Sequence, residues 1–223
     1  MIVVEAAVET LQSALAAERA GADRIELCAN LDDGGTTPSA DMIAAVVAQT
    51  QLPVFVLIRP RGGGFVYSDD EIDAMARDIE LAGRMGIAGI VTGALKSRGC
   101  VDVERTRTLL KAAAGLPVTF HRAIDSTVNL PDALEQLIDA GASRVLTSGG
   151  AATALEGADA IAALVAQAHE RIAIVAGGGI REHNVRDVLA RTGVGEVHAR
   201  LVDEVRMRNL IDVVRRNPDV GNE

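Results

Sequence analysis

The chain has 223 residues, 48% hydrophobic and 24% charged, enough to build and cover a sizeable core, which excludes a disordered or fibrous polymer. A net charge of −9 opposes attraction to phosphate backbones and anionic lipid, so neither nucleic acid nor a membrane surface is an expected partner. With aromatics at 2% and no Trp, the interior has to be filled by Ala, Val, Ile and Leu.

Short apolar runs recur at residues 2–6, 24–28, 54–59, 89–93, 118–122, 144–148, 172–177 and 196–198, giving eight candidate strands. Between them, residues 9–19, 41–49, 69–84, 103–114, 131–140, 158–168 and 182–191 carry apolar residues at helical spacing. Strands that alternate with helices must pair in parallel, because each helix returns the chain to its starting edge. Eight such units predict an α/β fold of one kind, a single (β/α)8 TIM barrel over residues 1–223. An open doubly wound sheet is the alternative, but it usually stops at five or six strands and often carries GxGxxG after the first. Glycines at helix ends, as in AGADRIEL (residues 20–27) and AGASRVLT (residues 140–147), supply the left-handed stop before the next strand. The likeness of those two segments hints at a duplicated half-barrel.

In such barrels the polar residues at strand C-termini meet at one mouth. Alternation turns Ile25 and Leu27 toward the helices and leaves Glu26 and Cys28 facing inward, and in the same way opposes Phe120 to His121. Glu26 and His121 are the expected acid–base pair, with Glu5 and Asp125 as further catalytic candidates. A bland reading stands beside this one: Glu26 buried in an ion pair with Arg24, Arg59 or Arg122. IRPRGGGF (residues 58–65) offers Arg59 and Arg61 on a glycine-rich loop, and Arg59 with Arg122 forms an expected anion clamp. Ser148, His198, and Gly178 and Gly179 in AGGGI (residues 176–180) are further ligand-binding candidates, the glycines lying where many barrels hold phosphate. No Lys falls on a strand end, which disfavours Schiff-base chemistry; Lys96 falls in the loop after strand four.

Residues near the start include Glu5 rather than a basic segment before an apolar stretch, and no run reaches the roughly 18 apolar residues of a membrane span, so a cytoplasmic protein is expected. Cys28 and Cys100 form neither a CxxC pair nor a disulfide framework, so reduced thiols are expected.

AGADRIELC, Gly34-Gly35 with Thr37-Pro38-Ser39, IRPRGG, YSD, VTG, VTFHRAID, RVLTSGG, AGGGI and EVH, taken together over nearly the whole chain, resemble the CutC family. The resemblance implies a barrel with a polar mouth, a link to copper homeostasis, and copper bound through cysteine, for which Cys28 is the matching position. Where members look like VHSSA or VHGSA, this chain has Val197, His198, Ala199, Arg200 and Leu201, so ligand contacts of that loop do not carry over. Two functions follow: a Cu(I)-binding protein using Cys28, or an isomerase or lyase acting on a small anionic or phosphorylated metabolite. Nothing calls for an organic cofactor, and a homodimer is allowed.

Overall fold

In the computed structural model, which describes residues 1–200 and 203–216, eight parallel strands close into a barrel among the described residues. They are β1 (Val3–Val8), β2 (Arg24–Leu27), β3 (Val54–Leu57), β4 (Gly89–Thr92), β5 (Val118–Phe120), β6 (Arg144–Thr147), β7 (Ala173–Gly177) and β8 (Glu196–Arg200). The helices between and after them are α1 (Leu11–Ala20), α2 (Ala40–Gln49), α3 (Asp69–Arg84), α4 (Val103–Ala112), α5 (Leu130–Ala140), α6 (Ala158–Ala168), α7 (Val185–Thr192) and α8 (Glu204–Arg215). The (β/α)8 expectation is met, and the doubly wound alternative fails because β1 pairs with β8 to close the ring. Among the described residues no helix is long and apolar enough to cross a membrane.

Local chemistry accounts for the boundaries. Thr10 and Ser68 cap α1 and α3 with reciprocal side-chain and backbone hydrogen bonds, and Gly21 and Gly141 end α1 and α5 in the left-handed conformation. Helix α7 starts at Val185 rather than near 182, because residues 181–184 form a preceding turn in which Asn184 accepts from the Arg181 N–H. Strand β5 ends at Phe120, two residues early: His121 caps a short 3-10 turn, Arg122–Ser126, and its ring Nδ1 accepts from the Ala123 N–H at 3.2 Å. The loop holding Lys96 contains an unexpected two-residue hairpin, Leu95–Lys96 against Cys100–Val101.

Alternation sorts the core into two layers. Val4, Ala6, Ile25, Leu27, Val54, Val56, Ile90, Phe120 and Val145 face the helices in the large outer core. The much smaller inner apolar cluster is Cys28, Phe55, Leu57 and Val91. Gly89 has no side chain because the Phe55 ring occupies the space: a β-carbon there would overlap the ring atoms. The rest of the barrel's lower interior is ionic. Arg24 Nε and Nη2 donate to Glu5 and Glu196, each at 2.5 Å, and Arg144 donates to Thr119 Oγ1 at 2.7 Å while lying 3.7 Å from Glu196. The two guanidiniums lie 5.1 and 3.9 Å from the Phe55 ring centre. The twin segments AGADRIEL and AGASRVLT thus deliver matching arginines to one buried network.

Candidate active site at the barrel mouth

The ionic floor supports a pocket. Closing β1 against β8 sets Glu5 beside His198, and the β1–β2 register sets Ala7 beside Glu26. His198 Nδ1 lies 2.7 Å from Glu5 Oε1 and 3.3 Å from Glu26 Oε2, so one imidazole bridges two carboxyls. Burial alone would raise the Glu5 carboxyl, but the hydrogen bond and charge of His198, with Arg24 and Arg144, outweigh it and hold it at about 2. For Glu26, burial dominates and the neighbouring Glu5 charge adds to it, so its pKa rises despite His198. Burial works against a charged His198, yet Glu26 and Glu5 together lift it above its ordinary value. The three groups form a proton-sharing cluster one step above the floor.

Over this cluster lies a cavity of about 130 Å³ lined by Glu26, Cys28, Leu31, Gly34, Leu57, Arg59, Phe65, His121, Arg122, Leu146 and His198. Six predicted site residues therefore meet at one cavity: Glu26, Cys28, Arg59, His121, Arg122 and His198. Glu5 lies beneath it, 1% exposed and sealed by Arg24 and His198. Asp125 and Ser148 stand behind Arg122. Asp125 accepts from Arg122 Nε at 2.9 Å, Ser148 Oγ at 2.8 Å and Thr147 Oγ1 at 2.5 Å, and Arg122 Nη2 donates to Ser148 Oγ at 2.7 Å. Gly178 backs the same group, since a β-carbon there would come within 3.1 Å of Ser148 Cβ and 3.3 Å of Arg122 Cζ. Gly179 packs against Thr153 instead. Arg61 turns outward to Glu71 at 2.6 Å.

His121 is buried and neutral. Desolvation, then the nearby Arg59 charge, bring it down to about 3. Because Nδ1 accepts from Ala123, the ring proton sits on Nε2, which is buried and has no hydrogen-bond partner among the described residues. Arg59 is in a similar position. Its Nη atoms donate to the carbonyls of Gly35 at 2.8 Å and Gly63 at 2.7 Å, tying two loops together, while its buried Nε has no hydrogen-bond partner among the described residues. The Phe65 ring orients both groups, with its centre 5.0 Å from Arg59 Cζ and 4.9 Å from the His121 ring.

Cys28 Sγ lies 3.5 Å from Glu26 Oε1, and burial, then the Glu26 charge, push its thiol well above the ordinary range. Cys100 lies apart on the hairpin. Leu201, in the divergent segment after β8, lies outside the described residues, but Arg200 reaches the segment after β2, donating to Asp32 Oδ1 at 2.6 Å and the Leu31 carbonyl at 3.0 Å. Sequence reasoning missed Arg144, Glu196 and Phe65. The first two share the inward parity of residues already singled out, which was the available signal.

A family profile described as the CutC family matches residues 2–202. The chain belongs to the CutC family. A CutC family protein from Xylella fastidiosa is 48% identical, with the alignment covering 93% of this chain and 78% of the relative. The human copper homeostasis protein cutC homolog is 48% identical over 87% of this chain and 71% of its own length. A crystal structure of CutC from Streptococcus agalactiae superposes with a TM-score of 0.84 at 36% identity, covering 89% of this chain and 98% of that one. Phosphoribosylanthranilate isomerase from Thermotoga maritima, at TM-score 0.64 and 14% identity over 96% of this chain and 99% of that one, shares the barrel fold alone with this CutC family member.

Proposed function

We propose that this CutC family member is an enzyme that moves a proton on a small anionic metabolite at the barrel mouth. The observation that carries this reading is the pair of buried donors without partners, Arg59 Nε and His121 Nε2, both on residues lining the cavity that Glu26 also lines. A buried donor left unpaired costs about 1–3 kcal/mol, a cost that a bound oxygen would remove. Arg59 binds the anion. His121, neutral and fixed in its tautomer, donates from Nε2 to an oxygen of the same anionic group, on which charge develops as the adjacent carbon loses its proton, the role of a preorganised electrophile rather than a base. Glu26 removes that proton and returns it to the same or an adjacent carbon. His198, held by Glu5, lies against Glu26 and moderates its charge. Arg122, braced by Asp125 and Ser148, stands at the rim. This is isomerase chemistry, with Glu26 and His121 in different parts.

Glu26→Gln tests the assignment. Deuterium incorporation from heavy water into small oxo and hydroxy acids, followed by proton NMR, is expected with the native protein and lost by about 100-fold or more in the variant. Exchange that persists in Glu26→Gln removes this residue from the role.

The names of the relatives support a second reading, copper binding. Its best donor set is Glu5, Glu26 and His198, whose ligand atoms lie within 4.8 Å of one another, with Cys28 alongside. These groups do not fit Cu(I), which prefers thiolate and thioether. The single thiol is driven toward its protonated form, and Arg24 already stands 2.5 Å from Glu5, where a cation would have to compete.

A further inference from the structure

Arginine usually meets an anion with two parallel N–H groups, but the Arg59 fork is closed to a ligand. Nη1 is held by the carbonyls of Gly35 and Asp33, and Nη2 by that of Gly63, which leaves Nε–H without a hydrogen-bond partner among the described residues, with the buried and likewise unpartnered Tyr67 hydroxyl close to Arg59. Its charge is also unmatched. Arg24 and Arg144 face Glu5 and Glu196, and Arg122 faces Asp125, whereas among the described residues no carboxylate forms an ion pair with Arg59. The Phe65 ring packs against both Arg59 and the His121 ring, whose Nε2–H is the other unpartnered donor on this cavity among the described residues. One uncompensated charge and two single N–H groups make a small, low-valence anion site.

We infer that Arg59 Nε and His121 Nε2 hold one carboxylate, so that the ligand is a short monocarboxylic acid, not a phosphate ester. This deepens the catalytic reading above and rests on it. A carboxylate has two oxygens and one charge, matching two donors and one cation. A phosphate dianion has three terminal oxygens and is ordinarily cradled by several backbone amides and more than one cation. It would also sit near the Glu26 carboxyl on the same small cavity. The cavity of about 130 Å³ is smaller than the usual run of ligand pockets, which suits a short acid. Arg122, on the wall of the same cavity, is already engaged through Nε and Nη2 by Asp125 and Ser148.

The probes are glycolate, acetate, inorganic phosphate and methyl phosphate at matched ionic strength, followed through the His121 ring resonances of ¹⁵N-histidine-labelled protein. Glycolate and acetate are expected to shift the His121 Nε2 signal saturably, at concentrations about tenfold or more below those at which either phosphate does so. His121→Phe, which keeps an aromatic ring against Phe65 and removes the donor, is expected to weaken glycolate by about tenfold by calorimetry. Arg59→Met should weaken it further; because Arg59 also ties two loops, its circular dichroism spectrum is compared first, and His121→Phe carries the test if it unfolds. Phosphate binding as tight as glycolate, or glycolate binding unchanged in His121→Phe, overturns the carboxylate assignment. The two readings fail separately. Glycolate binding at His121 with deuterium exchange unaffected by Glu26→Gln overturns the catalytic reading alone, while exchange that Glu26→Gln abolishes and phosphate inhibits more tightly than glycolate overturns the carboxylate alone.

Discussion

Replacing His121 by Gln should change how folding stability responds to acid. The native imidazole is 6% exposed, its Nδ1 is occupied by the Ala123 N–H, and Arg59 is a close positive neighbour, so its folded pKa falls from 6.5 to about 3. The unfolded chain therefore takes up a proton below pH 6.5 that the folded chain refuses until about pH 3. Stability is complete above pH 6.5 and is lost as pH falls through that window, at about 1.4 kcal/mol per pH unit. From pH 7 to pH 5 the loss is about 2 kcal/mol, and it approaches about 5 kcal/mol near pH 3 if the chain is still folded there. Other titrating groups act in both proteins, so subtracting the two stability curves isolates this residue. Urea unfolding at pH 7, 6 and 5 provides the measurement. The native midpoint should fall about 1 M further than that of His121→Gln, for a slope of about 2 kcal/mol per molar. Parallel curves would mean that the ring takes up its proton with ordinary affinity, and the neutral donor role would go with them.

Three other outcomes follow from the interior. Gly89→Ala forces a methyl into the Phe55 ring, which two guanidiniums hold in place; a loss of about 1–3 kcal/mol or more is expected, and the double variant Gly89→Ala with Phe55→Leu should recover part of it in thermal unfolding. Glu5→Gln leaves Arg24 and His198 short of a buried partner; a loss of about 3–5 kcal/mol, or about 10 °C in Tm, is expected, together with a lower His198 pKa by NMR. An unchanged His198 titration would show that Glu5 does not set its charge. Cys28→Ser should bind Cu(I) in competition with a chromophoric chelator as the parent does, because a single protonated thiol is a poor site; a loss of stoichiometric binding would restore the copper reading.

The barrel was legible because its signal is repetitive: each strand–helix unit restates the same alternation, and glycines such as Gly21 and Gly141 mark the joints. The inward parity of Glu26 and His121 followed from the same alternation. The state of those groups was not legible. Glu5 and His198 are 193 residues apart and meet only because β1 closes on β8. His121 reads as a strand residue, and its tautomer depends on the 3-10 turn that begins there. Arg59 looked like a free anion clamp, but its fork closes on carbonyls from two loops, one of them 24 residues earlier in the chain. Pairings of this kind depend on three-dimensional register, which a linear pattern of residue types does not encode.

The floor of Arg24, Arg144, Glu5, Glu196 and Phe55 has one further effect. It blocks the bore of the cylinder with side chains that are each nearly or fully out of contact with water, apart from the partly exposed Glu196. Passage through the bore is therefore blocked, so on the proposed catalytic reading the mouth is both entrance and exit. A product would have to leave before the next substrate could arrive, and one held tightly would throttle turnover.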